Sequence, residues 1–369
     1  MLTRFEVENF RGFKNLLAFD LSETKNYEFN GECIKNGIAN KAMIYGKNGS
    51  GKSNLGYAIF DLISHLTDKF VPKHEYIANY LHAELTGLPA KFKYGFKFDE
   101  AYIEYFCEKL GVNEVIFEEL KVNGETVVLY RLGELIQINL VGAESLNRDL
   151  GETKISALKY IKNNAVLDKS PVNDALKKLF EFVDGMLFFR SVDERTFIGN
   201  RAAGDDDILK NILSKGNLKD FEGFLNAANV ECELAVIEIN GQEEVVFKFG
   251  DKTLNFWRGA STGTKSLSLF YYWLQLLNES QVSLVFVDEF DAFYHYKLSE
   301  LIVRKLKDAN AQVVLTTHNT SLMTNDLMRP DCCFVMEDKV ITPFSKIADK
   351  ELRLAHNIEK MYKAGAFGG

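Results

Sequence analysis

The 369-residue chain has only five prolines and five cysteines. It has no uncharged apolar run of membrane-spanning length. Cys33, Cys107, Cys232, Cys332 and Cys333 are odd in number and form no C-x-x-C pair, so neither a disulfide framework nor a zinc site is supported. Reduced, mostly buried thiols are expected. The opening Met1-Leu2-Thr3-Arg4-Phe5 lacks the apolar core of a signal peptide, and a soluble cytoplasmic protein with no membrane partner follows. Positive charge is also scarce: 44 Lys and Arg against 52 Asp and Glu leave a net charge of −8, which argues against obligatory wrapping of duplex DNA. There is no internal repeat, low-complexity linker or sustained heptad pattern, which removes solenoids and extended coiled coils.

What is present is a packed globular composition, 46% apolar and rich in Phe and Tyr. Residues 2–8 and 16–21 read as two opening strands joined by a turn at Arg11-Gly12-Phe13. Ala42-Met43-Ile44-Tyr45 is a strand that runs into a Gly-rich loop, after which Leu55, Ile59, Leu62, Ile63 and Leu66 recur at helical spacing. From 91 to 132 the period becomes two, with Phe92, Tyr94, Phe96 and Phe98 on one face and Asn123-Gly124 as a hairpin turn, so an antiparallel meander is expected. Residues 144–183 read as a compact, charged helical insertion. Strands resume at 186–189 and 236–239, and Asn240-Gly241 turns the latter into 245–247. A long helix at 264–277 then leads into strands at 284–287, 313–316 and 333–336, with a helix near 298–307. Such alternation implies a mostly parallel sheet. The expected architecture is an α/β nucleotide-binding head in two parts, 1–143 and 186–369, with the helical insertion at 144–185.

Gly46-Lys47-Asn48-Gly49-Ser50-Gly51-Lys52-Ser53 matches G-x-x-x-x-G-K-S/T between a strand and a helix. In such a loop the glycines allow successive backbone N–H groups to face phosphate oxygens, and the helix N-terminus adds its positive dipole end. Lys52 would reach the β- and γ-phosphates of ATP, and Ser53 would ligate Mg2+. Leu284-Val285-Phe286-Val287-Asp288-Glu289 places two acids at the C-terminal edge of a buried strand, where ligands of open α/β sheets bind. Asp288 would hold the magnesium, and Glu289 would act as general base on the attacking water. Val313-Val314-Leu315-Thr316-Thr317-His318 repeats the layout and sets His318 to bond the γ-phosphate or that water. The acidic run Gly204-Asp205-Asp206-Asp207 reads as a solvated loop.

Together these residues resemble the ABC-type ATPases, and more closely the SMC, RecF and OLD branch, over nearly the whole chain. The carriers are Phe5-Glu6-Val7-Glu8-Asn9-Phe10-Arg11-Gly12-Phe13 and the loop from Gly46 to Asn54. The resemblance implies an ABC-type head that dimerises with itself head to head around two ATP molecules. It implies that Arg11, Asn48, Gly49, Ser50 and Asn54 contribute to the nucleotide site. The signature segment corresponds to Ala260-Ser261-Thr262-Gly263-Thr264-Lys265-Ser266-Leu267, from which Ser261 and the Gly263 amide would meet the partner's γ-phosphate. Thr264 and Lys265 replace the second Gly and the Gln of the usual L-S-G-G-Q. Phe290-Asp291-Ala292-Phe293 resembles the D-loop, which implies a cross-subunit contact for Asp291. No glutamine after the meander is identified as a Q-loop.

That Asp-Glu-Phe-Asp-Ala-Phe string and the ending Ala355–Tyr362 look most like the stand-alone abortive-infection ATPases of the AbiLi and RloC kind. This resemblance implies a regulatory ATPase of an anti-phage system acting with a separate effector, a nuclease or toxin, for which the Gly-Ala-Phe-Gly-Gly tail is a candidate dock. The alternative expectation is a RecF-like ATPase that binds DNA in its maintenance. A transporter subunit would lack the N-F-R-G-F opening, and no Asp is placed to read guanine.

Overall fold

The computed structural model describes the chain except residues 70–73, 191–196, 200–204, 240, 279–281, 293, 349–351 and 367–369, together with the side chains at 197–199, 205–207 and 278. Gly204 of the acidic run, Asn240 of the expected turn, Phe293 of the D-loop string and the end of the C-terminal tail lie outside the described residues, while Asp205–Asp207, expected in a solvated loop, instead open the helix Asp205–Ser214, where acids favour the helix N-terminus.

Two seven-stranded sheets face each other across one helix. The first is antiparallel throughout, in the spatial order Gln137–Ile138, Glu125–Arg131, Glu114–Val122, Ala101–Gly111, Ala90–Phe98, Leu2–Glu8 and Leu17–Asp20. Its alternation is the expected one: Phe92, Tyr94 and Phe96 are buried on one face. Asn123 and Gly124, at φ of 52° and 85°, make the tight turn of its central hairpin.

The second sheet runs Phe197–Gly199, Met186–Arg190, Leu284–Asp288, Gln312–Thr317, Lys41–Tyr45, Cys333–Glu337 and Val340–Pro343. The inner five strands are parallel and the two edge strands antiparallel. The Lys41–Tyr45, Leu284–Asp288 and Gln312–Thr317 strands are buried on both faces, which explains their unbroken apolar runs. Gln312 fastens the two sheets together. Its amide bonds both the N–H and the C=O of Leu2, at 2.9 and 2.8 Å, and the Ala39 carbonyl at 3.1 Å.

The helix Lys52–Leu66 fills the space between the sheets. A Cβ on Gly56 would come within 2.4 Å of the Phe188 ring and 2.8 Å of Phe286, so only glycine lets the helix sit this close to the parallel sheet. On the opposite side Tyr94 Oη donates to the Ala58 carbonyl at 3.1 Å. A helix covered on both sides must pair its own polar groups. Asp61 does so with Lys109, Tyr76 and Tyr80, and Ser64 with Lys109. His65 Nε2 lies 2.9 Å from Tyr105 Oη. Burial holds the His65 ring well below its usual range and therefore neutral.

The expected helical segment starts later than its sequence suggests. Helices occupy Ala157–Asn164 and Pro171–Asp184, capped by Ser156 and Ser170, while turns precede them. Asn147 and Asp149 accept hydrogen bonds from the N–H groups of Asp149 and Gly151, at 3.1 and 2.8 Å, and such local bonds compete with a helix. These helices also join the main core, where Phe182 meets the rings of Phe96 and Phe98.

Downstream, the antiparallel strands Leu234–Ile239, Gln242–Phe249 and Lys252–Asn255 precede the long helix Thr262–Asn278. All five cysteines are free, four of them buried. Among the described residues no helix is long and apolar enough to cross a membrane, and no cluster of three His, Cys, Asp or Glu could hold a metal by itself.

Candidate nucleotide site

Register along the parallel sheet assembles the site. Thr317 pairs with Tyr45 and Val335 also pairs with Tyr45, so His318 and Met336 come level with Gly46, the first residue of the loop. Val287 pairs with Leu315, which brings Asp288 level with Thr316. Three strand ends therefore deliver the loop, the two acids and the histidine to one edge, although the loop is more than 200 residues from the other two in the chain.

The loop is tightly constrained. A Cβ on Gly46 would lie 2.7 Å from the Met336 carbonyl and from Ser50 Oγ, and Gly49 and Gly51 have φ of 79° and 115°. Each of these positions calls for glycine on steric or conformational grounds. Gly51 is the N-cap of the Lys52–Leu66 helix and its carbonyl accepts from the Leu55 N–H at 2.9 Å. Lys52 is buried and folds back on its own loop, donating to the carbonyls of Gly46 at 2.6 Å and Lys47 at 3.1 Å. Burial lowers the Lys52 ammonium from its ordinary range, opposed by the charges of Asp288, Glu289 and Asp291. The same three carboxylates are thus within electrostatic reach of the loop.

Asp288 is fully buried. Thr316 Oγ1 donates to its Oδ1 at 2.7 Å and accepts the Glu289 N–H at 2.8 Å. Glu289 itself has φ of 49°, a left-handed backbone that turns the chain sharply at the strand end. Arg190 Nε lies 3.3 Å from Asp288 Oδ2. Among the described residues no hydrogen bond reaches that buried Oδ2, an orphaned carboxylate oxygen of the kind that suits a divalent cation. His318 is exposed at the turn that follows, where Thr317 Oγ1 accepts the Asn319 N–H at 2.9 Å.

Two of the expected site residues are engaged within the chain. Asp291 is buried and accepts from Thr317 Oγ1 at 2.9 Å. Arg11 is held on the start of the loop's helix. Its Nε donates to Asn54 Oδ1 at 3.1 Å and its guanidinium packs on the rings of Tyr57 and Tyr76, 5.0 and 5.2 Å from their centroids. Of this side chain, Nη1 is buried without a hydrogen-bond partner among the described residues. Asn54 is thereby engaged by Arg11.

Ser261 stands at the start of the Thr262–Asn278 helix, where its Oγ accepts the Thr264 N–H at 3.1 Å and lies 2.9 Å from Thr264 Oγ1. Ser261 is exposed, and nothing lies closer than 3.8 Å to a Cβ built on Gly263. Neither residue lines the cleft beside Gly46–Ser50. That cleft, of about 270 Å³, is bounded instead by Val335–Asp338 and by Tyr362. Thr316, Arg190 and the 335–339 hairpin were not legible as site residues, although a pair of threonines ending an apolar strand was a visible signal.

A glycine-rich loop, two acids on the next strand but one, and a histidine on the strand between them, all at one edge of a parallel sheet, define a P-loop ATPase with an ABC-type head. The chain belongs to the family described as "AAA domain, putative AbiEii toxin, Type IV TA system", whose model matches residues 41–324. No curated protein matches it in sequence. Among solved structures it is similar to an SMC head bound to the C-terminal winged-helix domain of ScpA, at 16% identity and a TM-score of 0.48, covering 93% of this chain and 97% of that one. The SMC head domain from Thermotoga maritima gives 14% and 0.43 over 93% and 98% of the two chains. An SMC head with an extended coiled coil, bound to the C-terminal domain of ScpA derived from Pyrococcus furiosus, gives 12% and 0.44 over 94% and 97%.

Proposed function

We propose that the protein binds and slowly hydrolyses ATP as a dimerising switch, and that it is the regulatory ATPase of a bacterial anti-phage, abortive-infection system acting with a separate effector. The observation that carries the ATPase reading is the Thr316 hydroxyl between the two acids, which fixes Asp288 and the Glu289 backbone together at the loop's edge of the sheet. The description of its family, with an AbiEii toxin and a type IV toxin–antitoxin system, supports the biological setting.

In this reading the loop amides and Lys52 hold the phosphates, and Ser53 with Asp288 would hold Mg2+. The ion supplies charge neutralisation of the phosphate oxygens when bound. Glu289 takes the proton of the attacking water while His318 orients that water, and the bond from the γ-phosphorus to the β–γ bridging oxygen breaks to give ADP and phosphate. A second copy of the chain contributes Ser261 and the Gly263 amide. The Ser261 hydroxyl, exposed and 2.9 Å from Thr264 Oγ1, would give its hydrogen to the phosphate when Thr264 is the donor of that pair. Thr264 stands where the usual signature has its second glycine, and its N–H is taken by Ser261 Oγ at 3.1 Å, so that amide is not free for a phosphate, which supports the reading of a slow switch.

Calorimetric titration of Lys52→Ala with ATP tests the site, with loss of binding expected. Retained affinity would overturn the loop assignment. Light scattering of wild type with ATP and magnesium tests the switch. A monomer under all conditions would remove it.

A further inference from the structure

The hairpin that joins the last two strands of the parallel sheet has two residues at its tip, Asp338 and Lys339, between the paired Glu337 and Val340. Both tip residues have positive φ, 47° and 64°. That is the backbone of a two-residue turn ordinarily built from Asn-Gly, and here a lysine stands where glycine would be favoured. A long side chain held in that conformation points to a use for it.

The use is visible. Lys339 Nζ donates to the carbonyls of Gly49 at 2.9 Å and Ser50 at 3.0 Å, in the middle of the phosphate loop. It also lies 3.4 Å from where a Gly51 Cβ would be, so it packs on the outer side of the loop's last glycine. Lys47 and Glu337, 3.7 Å apart, join the loop and the hairpin a second time. Lys52 takes other carbonyls, those of Gly46 and Lys47. The two lysines therefore grip different parts of one loop from different elements.

We infer that Lys339 is a positioning residue of the phosphate site, a second loop lysine that acts on backbone orientation rather than on the nucleotide. In a planar trans peptide the C=O and the following N–H point in opposite directions. A Ser50 carbonyl held toward Lys339 turns the Gly51 N–H away from it, toward the interior of the loop. The bond to the Gly49 carbonyl restrains the preceding peptide plane likewise. Glycines on either side make these planes easy to flip, and the ammonium prevents that while its charge polarises the amides toward an anion. This inference rests on the ATP-binding reading of the same loop.

The test uses full-length protein and two probes, ATP and tripolyphosphate, titrated calorimetrically into wild type, Lys339→Met, Lys339→Arg and Lys339→Gln. Lys339→Met is expected to weaken both probes by the same factor, about tenfold, because the loop is misaligned whatever the base. Lys339→Arg restores binding to within about threefold and Lys339→Gln falls between, in line with their ability to donate to carbonyls. The melting temperature of the nucleotide-free protein is expected to move little, and if Lys339→Met fails to fold, the Arg and Gln variants give the same ordering. Wild-type affinity in Lys339→Met overturns the inference, as does tighter binding, which would make Lys339 a plug. If wild type itself binds neither probe, the ATP reading fails instead, and the two failures are distinct.

Discussion

Thr316 Oγ1 donates to Asp288 Oδ1 at 2.7 Å while accepting the Glu289 N–H at 2.8 Å, so one hydroxyl sets both acids at the end of the neighbouring strand. Thr316 is itself fully buried. Without it Asp288 Oδ1 would lose the Thr316 hydrogen bond and the left-handed turn at Glu289 would lose its anchor.

Thr316→Val keeps the volume and removes only the hydroxyl. The expected result is a fall in kcat of about tenfold, equivalent to about 1.4 kcal/mol, with ATP affinity nearly unchanged. Steady-state ATPase assays with parallel binding titrations separate the two quantities.

Glu289→Gln retains shape and removes the base. Hydrolysis should fall by about a hundredfold or more while ATP still binds. Light scattering with ATP and magnesium should then show a dimer that outlasts that of wild type. An ATPase rate within a few fold of wild type would reassign the base.

Lys41 lies at the start of the loop's strand, buried, and donates to the carbonyls of Ala309 and Ala311 at 2.6 Å each. Desolvation lowers its ammonium from 10.5 to about 8. The unfolded chain, with an ordinary lysine value of about 10.4, binds more protons than the folded one between pH 8 and 10. This group therefore adds stability as pH rises through that window, by about 1–3 kcal/mol at most. Urea unfolding at pH 7 and 9.5 should show the rise in wild type and its loss in Lys41→Met.

Lys109 and Asp61 form an ion pair with both side chains fully buried, one on the meander and one on the loop's helix. Lys109→Met leaves the Asp61 carboxyl in the core without its cation, held only by the Tyr76 and Tyr80 hydroxyls among the described residues, and should cost about 3–5 kcal/mol in denaturant unfolding. Adding Asp61→Asn should recover much of that loss. Equal instability of single and double variants would show that packing around Lys109, and not its charge, dominates.

The sequence by itself determined the local parts. The loop from Gly46 to Ser53, the apolar strand ending at Asp288 and Glu289, and the meander between 90 and 131 were legible because their signals repeat over a few residues. Helix onset at 157 instead of 144 was less legible, since side-chain bonds at Asn147 and Asp149 displace a helix without altering its apparent periodicity. Tertiary structure alone decided which residues hold the acids and the loop. Thr316 meets Asp288 across 28 positions and Lys339 meets Gly49 across 290, and no local pattern encodes such pairings. Strand order and register set them, and those depend on how whole faces bury against one another.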